Sequence, residues 1–407
     1  MHSSRSGFTL VEMMVAMTLT MFVMVILSQC FVQGLETFSG LKAIGDMQEE
    51  LRTATTLLRA DLSQDHFEGK RRLSDPVARF KNEKIREGFF VLGSGYPLQP
   101  AAANSTYPSS TKAYEGTEDG TALPNLSAKD IPSYRYTDHF LHFSTKMRGN
   151  AREKNFAVPV PGFGLGAVPI TYLQKFQPPP GAGGTMPAQD AVFQENASVV
   201  HSPWAEIVYL LLPTGTTANP RTPPPPGSGA PGTKLCALYR CQYVVLPVTT
   251  DANNQRLPTS ATSAGIAGIP TGNGMTFYSP NDLARGWSGR TFNPYQYFSG
   301  TNNHFNNNTP PPGAALVLSN VLSFQVMAMT SNSGGDFVDL TEIAAVSQNN
   351  KYFVPFDTAN YSAGPQLPSV PATPPQPAYS IQGLQIIIRI WDPKSRQARQ
   401  VTLVQDM

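Results

Sequence analysis

The chain has 407 residues, of which 41% are hydrophobic and only 14% charged, with 37 prolines, 33 glycines and a formal net charge of +2. That size supports one large domain or two ordinary ones with a sizeable core, and the low charge with abundant Pro and Gly fits a loop-rich, β-rich protein. A charge so near balance excludes an argument for nucleic acid or for a strongly acidic partner.

The first sixty residues are the most informative. After Met1-His2-Ser3-Ser4-Arg5-Ser6-Gly7 comes a run from Phe8 to Val32, 25 residues with no Gly and no Pro. As a helix it would be about 37 Å long, enough to cross a bilayer. A secretory signal peptide also has a basic start and an apolar run. This run is longer than an ordinary signal core, and no small-x-small cleavage pattern follows it. Leu27-Ser28-Gln29-Cys30 approaches a lipoprotein signal, but Gln29 is bulky where a small residue is needed. A plain membrane anchor is the remaining alternative.

One strong charge interrupts the run: Glu12. A carboxylate in an apolar span is costly and marks function by default. If the chain is cut after Gly7, Phe8 gains a free amine one helical turn from Glu12. That amine, or the same amine of a neighbouring subunit, would offset burial of the carboxylate.

Ser6-Gly7-Phe8-Thr9-Leu10-Val11-Glu12 resembles the cleavage and methylation motif of the type IV pilin-like family. Arg5 stands in the leader, Gly7 before the cut, Phe8 as first mature residue and Glu12 as its fifth. The resemblance implies a prepilin peptidase that cuts between Gly7 and Phe8 and methylates the Phe8 amine. It also implies that Glu12 guides assembly with other pilin or pseudopilin subunits. The implied location is the inner membrane, single-pass, with the N-terminus cytoplasmic and the head periplasmic, then a periplasmic or cell-surface filament. The apolar run lies after the cut, so the anchor survives processing. Many major pilins carry a Pro near the middle of this helix, whereas Gln29 is found here. That departure fits a minor pilin or pseudopilin as well as a major one.

The helix is predicted to continue. Leu35, Phe38, Leu41, Ile44, Met47, Leu51, Ala54, Leu58 and Leu62 recur every three or four residues, which should pack this stripe against the head. Gly34, Gly40 and Gly45 sit between membrane and head. They read either as a segment that can loosen or as close packing or a fray.

Beyond residue 64 the helical period disappears. Strands are predicted at 88–92, 134–145, 205–212, 235–248, 315–329 and 382–391, with 401–404 as a further one. Asp392-Pro393-Lys394-Ser395 reads as a turn from which 397–404 pairs back as a hairpin. Between strands lie long Pro- and Asn-rich loops at 177–181, 214–232, 302–313 and 364–377, suited to exposed surfaces. The expected fold is α+β: a long N-terminal helix packed on an antiparallel β-rich head. Its expected divisions are a leader at 1–7, a transmembrane helix at 8–33, an amphipathic helix at 34–64 and an extracytoplasmic head at 65–407.

Three places extend the resemblance to large minor pilins and pseudopilins of the J and W types. They are Leu57-Leu58-Arg59-Ala60-Asp61-Leu62, Asn320-Val321-Leu322-Ser323-Phe324-Gln325-Val326 and the closing hairpin. The head is longer than usual for that group, and pilin-like cassette proteins of planctomycete and verrucomicrobial type share this look.

No chemistry stands out in the head. His139 and His142 are three apart on a predicted strand, which places them on opposite faces, as surface or half-buried side chains and not a metal pair. Gly162, Gly164 and Gly166 lack the G-x-G-x-x-G spacing. Asp336, Asp339 and Glu342 could bind calcium but lack loop-type spacing, and a solvated strand edge explains them better. Asn104-Ser105-Thr106 is a sequon that matters only where the host glycosylates it. Cys236 and Cys241, on one continuous strand, would lie on opposite faces about 17 Å apart. A disulfide between them needs a turn, and zinc lacks a second pair nearby. No catalytic residue, cofactor or metal is indicated. Two functions stay open: a structural filament subunit, or a membrane-tethered binding or adhesion module using loop aromatics such as Tyr278, Trp287, Tyr295 and Tyr297. An enzyme is a distant third.

Overall fold

The computed structural model describes residues 9–74, 87–93, 112–114, 134–137, 139–149, 155–159, 199–218, 233–245, 258–259, 265, 267–271, 274–284, 289–292, 310–311, 313–331, 333–340, 356–358 and 380–407. The fold is α+β: a long N-terminal helix and a large antiparallel sheet.

Helix α1 runs unbroken from Leu10 to Leu62 over 53 residues, about 80 Å at 1.5 Å per residue. Neither the lipoprotein-like Leu27–Cys30 stretch nor the three glycines interrupt it. Its two halves meet different surroundings. Ala43, Met47, Leu51, Ala54, Leu58 and Leu62 are buried, spaced three or four apart so that they form one stripe. Leu35, Phe38 and Leu41, predicted to join that stripe, are instead exposed at 54%, 69% and 64%. The packed portion therefore starts at Ala43. The reason is geometric: the apolar period continues through 35–41, but the sheet does not reach that far.

The strands, in chain order, are β1 Phe90–Gly93, β2 Lys112–Tyr114, β3 Tyr134–Tyr136, β4 Phe140–Lys146, β5 Phe156–Pro159, β6 Val199–Ser202, β7 Trp204–Ala218, β8 Thr233–Val244, β9 Pro258–Thr259, β10 Gly268–Thr271, β11 Gly274–Phe277, β12 Ala314–Thr330, β13 Phe337–Val338, β14 Phe356–Asp357, β15 Ile381–Asp392 and β16 Gln397–Asp406. The main sheet has the order β14-β1-β4-β7-β8-β12-β15-β16, with β13 also on β12. All of its pairings are antiparallel. The predicted 134–145 strand is two elements, since β3 leaves to pair with β2. Strand β7 also runs on through Thr214–Ala218, where a loop was expected.

The long strand β12 changes partner midway. Ala314–Val321 pairs with β8 and Val321–Thr330 pairs with β15. The handover needs register shifts on both sides of Val321, and Asn320 takes φ 53 there, a left-handed conformation that Asn tolerates better than most residues. The Asn320–Ser323 stretch is thus a bulge that re-aims the sheet. The closing hairpin follows its prediction. The Asp392 carboxylate accepts from Lys394 N at 3.2 Å and Ser395 N at 2.7 Å, holding the turn between β15 and β16.

The sheet is covered on both faces, and β7 shows how. Ala205, Ile207, Tyr209 and Leu211 join the α1 residues in one core, whereas Trp204, Val208, Leu210 and Leu212 point into a second. The second core is closed by Ala267, Tyr278, Leu283 and Phe292. They come from the region holding β9 to β11 and the short helix α2, Pro280–Leu283.

The end of α1 is fastened by polar groups. Buried Asp61 accepts from Tyr209 Oη at 2.5 Å and from Arg240 Nε and Nη2 at 2.7 and 3.0 Å. Just beyond the helix, Lys146 N donates to Asp65 O at 2.7 Å, and Arg148 clasps the Asp65 carboxylate with Nε at 2.6 Å and with Nη2. The buried His66 ring lies between two carbonyls, with Nδ1 2.9 Å from Ser144 O and Nε2 3.2 Å from Leu62 O. Gly88 sits directly against this joint at φ 89, and a Cβ there would lie 2.2 Å from His66 O, so a side chain is excluded.

Candidate functional site at the start of the long helix

The described residues begin with a helix cap. Thr9 is extended, with φ −77 and ψ 150, and its hydroxyl accepts from Glu12 N at 3.3 Å. In return Glu12 Oε2 accepts from Thr9 N at 3.0 Å and from the Thr9 hydroxyl at 3.1 Å. This is a reciprocal capping box, Thr9-x-x-Glu12, in which two backbone donors at the helix end find side-chain acceptors. The carboxylate also stands in the first turn, where the helix dipole favours negative charge. The sequence reading explained Glu12 by the Phe8 amine and missed Thr9, although a Thr three residues before a Glu, opening an apolar run, signals such a cap.

Gly7 and Phe8, the expected cleavage pair, lie outside the described residues. Glu12 is placed one turn downstream of them, with its carboxylate folded back toward the start of the helix through Thr9. From Leu10 to Leu41 the large apolar side chains of α1 are exposed. Among the described residues α1 is the one helix long and apolar enough to cross a membrane.

The described residues of the head supply no competing metal site. His139 and His142 are both buried, not surface or half-buried. His139 Nδ1 accepts from Val326 N at 3.2 Å, and its Nε2 lies 3.6 Å from the Asp339 carboxylate. His142 Nε2 donates to Glu206 Oε1 at 2.7 Å. Glu206 also accepts from Thr291 N and Phe292 N, both at 3.1 Å. Burial alone would raise the Glu206 carboxyl, but His142 and these backbone donors hold it below the ordinary carboxylate range. Nearby, Arg290 makes a bidentate pair with Asp357 at 2.9 Å and lies over the Phe89 ring. Each charge in this quartet is matched inside the core, which fits a role in pinning residues 289–292 and β14 to the sheet.

Among the described residues no group of three or more His, Cys, Asp or Glu could hold a metal ion. Of the calcium candidates, Asp339 stands beside His139 and Glu342 lies outside the described residues. Gly162, Gly164, Gly166, Trp287, Tyr295 and Tyr297 also lie outside them. Tyr278 is buried in the second core, so it belongs to packing. Cys236 and Cys241 are both buried and are not joined in a disulfide. Both lie on β8 with no turn between them, Cys236 in the core under α1 and Cys241 in the opposite one. Burial pushes the Cys241 thiol up to about 12.

No curated protein and no solved structure matches the chain. Residues 2–28 do match a known family, the prokaryotic N-terminal methylation motif. The match spans the expected cleavage pair, the Thr9–Glu12 cap and most of the apolar run. The chain therefore carries the prepilin-type signature at its N-terminus, and the helix that this signature opens is long and apolar enough to cross a membrane.

Proposed function

We propose that the protein is a minor pilin or pseudopilin, a structural subunit of a type IV pilus or of a type II secretion-like filament. Prepilin peptidase cuts between Gly7 and Phe8 and methylates the new amine, and Glu12 sets the register in which the subunit docks. The observation that carries this reading is the methylation motif leading directly into an unbroken helix whose large apolar side chains from Leu10 to Leu41 are exposed. Among apolar partners in lipid, packing alone gives little register, because lipid tails are as apolar as a neighbouring helix. A carboxylate paired with an amine is strong in low dielectric and exists in one axial alignment. The family is generally structural, and a non-enzymatic role follows from that.

Glu12→Ala tests the proposal. The variant should be cleaved normally, with N-methyl-Phe8 as its first residue by mass spectrometry, and should stay in membranes. Its share in sheared filaments should fall strongly. Equal filament incorporation by the wild type and the variant would support the other reading, a tethered binding or adhesion module outside any filament. Mature protein beginning near residue 30 would defeat the processing step itself.

A further inference from the structure

We propose that the outer edge of β16 is a docking site for an extended segment of another polypeptide, which adds to the main sheet as a further strand. β16 ends the strand order of that sheet, and among the described residues no strand pairs with its outer side. Met407 N donates to Gln382 O at 3.0 Å. The ladder that pairs Gly383 with Asp406 and Asp392 with Gln397 continues that register without a shift. Hydrogen-bonded residues alternate in an antiparallel pair, so the odd-numbered residues of β16 bond to β15. The N–H and C=O groups of Ala398, Gln400, Thr402 and Val404 therefore point outward. They form a row of donors and acceptors at the spacing of another extended backbone. Sheets commonly guard such an edge by shortening it, or with Lys, Pro or a bulge. The opposite edge is guarded, since β14 has two residues. β16 has ten and none of these devices. Its charges, Arg399 and Asp406, leave residues 400–405 uncharged.

The surrounding side chains narrow the kind of segment. Among the described residues of the head, the large hydrophobic side chains left exposed are Leu316 and Val404, and Val404 stands on this edge. Ala398, Gln400 and Thr402 share its face and are exposed too. The other face is roofed by α1. Glu50 interacts with the Asp392 charge at the end of β15, while Asp61 reaches Tyr209 on β7 and Arg240 on β8. The helix thus crosses the strands and runs out past β16. On its sheet-facing side, about one and two turns before Met47, stand Ala43 and Gly40. A Cβ at Gly40 meets nothing within 4 Å, which leaves room beneath the helix. The segment that fits is extended, uncharged along 400–405 and hydrophobic beside Val404. A second copy joined through the same edge does not fit. Its two-fold axis would stand normal to the sheet and turn one α1 against the other, so the two anchors could not enter one membrane.

A filament subunit and a tethered module would use this edge alike, so the test stands apart from that choice. Hydrogen exchange resolved to single amides is followed on the full chain in detergent micelles. The probe is a synthetic peptide of alternating Thr and Val flanked by lysines. Without peptide, amides 398, 400, 402 and 404 should exchange at least about tenfold faster than 399, 401 and 403. With it, the outward set should slow by about tenfold or more while the odd set stays unchanged. Val404→Lys places a charge on the edge, and Thr402→Pro removes an outward donor where a strand edge tolerates proline. Each should abolish the protection and leave thermal unfolding of the head near wild type. Outward amides already as slow as the odd ones, no protection at about 1 mM peptide, or protection that survives both substitutions would overturn the site. Sedimentation of the full chain checks the partner: a dimer that Thr402→Pro dissolves would mean that a second copy takes the edge, and would overturn the choice made above.

Discussion

The two halves of α1 are one continuous helix with two different environments. Residues 10–41 keep their apolar side chains exposed, while from Ala43 a narrow stripe is buried and Glu49, Arg52 and Arg59 lie away from it. From Met13 to Val32 the first half is predominantly apolar on every face, as expected of a lipid-facing helix. The second is amphipathic and ends in the Asp61–Arg240–Tyr209 bonds. Helical continuity thus says nothing about function here. What changes along α1 is which solvent the side chains are built for.

The sharpest way to break this contrast is to remove equal apolar volume from each half. Leu58 is fully buried between α1 and the sheet, whereas Leu27 is 60% exposed. Leu58→Ala should cost about 2–5 kcal/mol through lost transfer energy and a residual cavity. Leu27→Ala should leave the head's stability within about 0.5 kcal/mol. Thermal unfolding of the full chain in detergent, followed by β-sheet circular dichroism, compares the two. Similar losses would mean that the halves are not energetically distinct.

A smaller effect should appear on acidification, confined to the second half. Burial is the main influence on His66 and lowers its pKa. Hydrogen bonding from Arg148 is the main influence on Asp65 and lowers its pKa too. A histidine lowered in the folded state contributes stability above its unfolded pKa, near 6.5, and that contribution is lost as pH falls below it. The Asp65 contribution is present above its own unfolded value and is lost at still lower pH. Both signs agree, so the joint between α1 and β4 loosens with acid, His66 first. Hydrogen exchange near residues 60–66 should rise between pH 7 and 5, and His66→Gln should flatten that rise. Unchanged exchange in the wild type would show that the ring does not titrate against folding.

How much of this was legible in the sequence follows the same division. The periodicity of α1, the hairpin around Asp392 and the long strands β7, β8, β12 and β15 could be read, because apolar patterning and turn chemistry are local. The exposure of Leu35, Phe38 and Leu41 could not, because an apolar stripe looks alike whether lipid, a neighbour or the same chain covers it. The bulge at Asn320 was hidden for another reason: it exists to switch β12 from β8 to β15, a demand set by strands far away in sequence. The buried quartet of His142, Glu206, Arg290 and Asp357 joins segments up to 215 residues apart, and no spacing rule connects them. At the candidate site, Glu12 stood out as a lone charge, whereas Thr9 was passed over as part of the motif.

The smallest predicted effect lies at that overlooked residue. Thr9→Ala removes the acceptor for Glu12 N and one of the donors to Glu12 Oε2. Loss of such a cap costs about 1 kcal/mol, at the upper end of its range where no water replaces the lost acceptor. Amides of the first turn should therefore exchange roughly tenfold faster in micelles. Thr9→Ser keeps the hydroxyl and should change little. Unfolding of the head should stay unaffected by either, since the cap lies beyond the part of α1 that the sheet holds. Glu12→Gln separates the cap from the charge. A glutamine completes a capping box as a glutamate does, so first-turn exchange should remain near wild type, while the charge that would pair with a neighbouring amine is gone. Filament incorporation that falls with Glu12→Gln but not with Thr9→Ala would assign assembly to the charge. Loss with both to the same degree would assign it to the shape of the helix start instead.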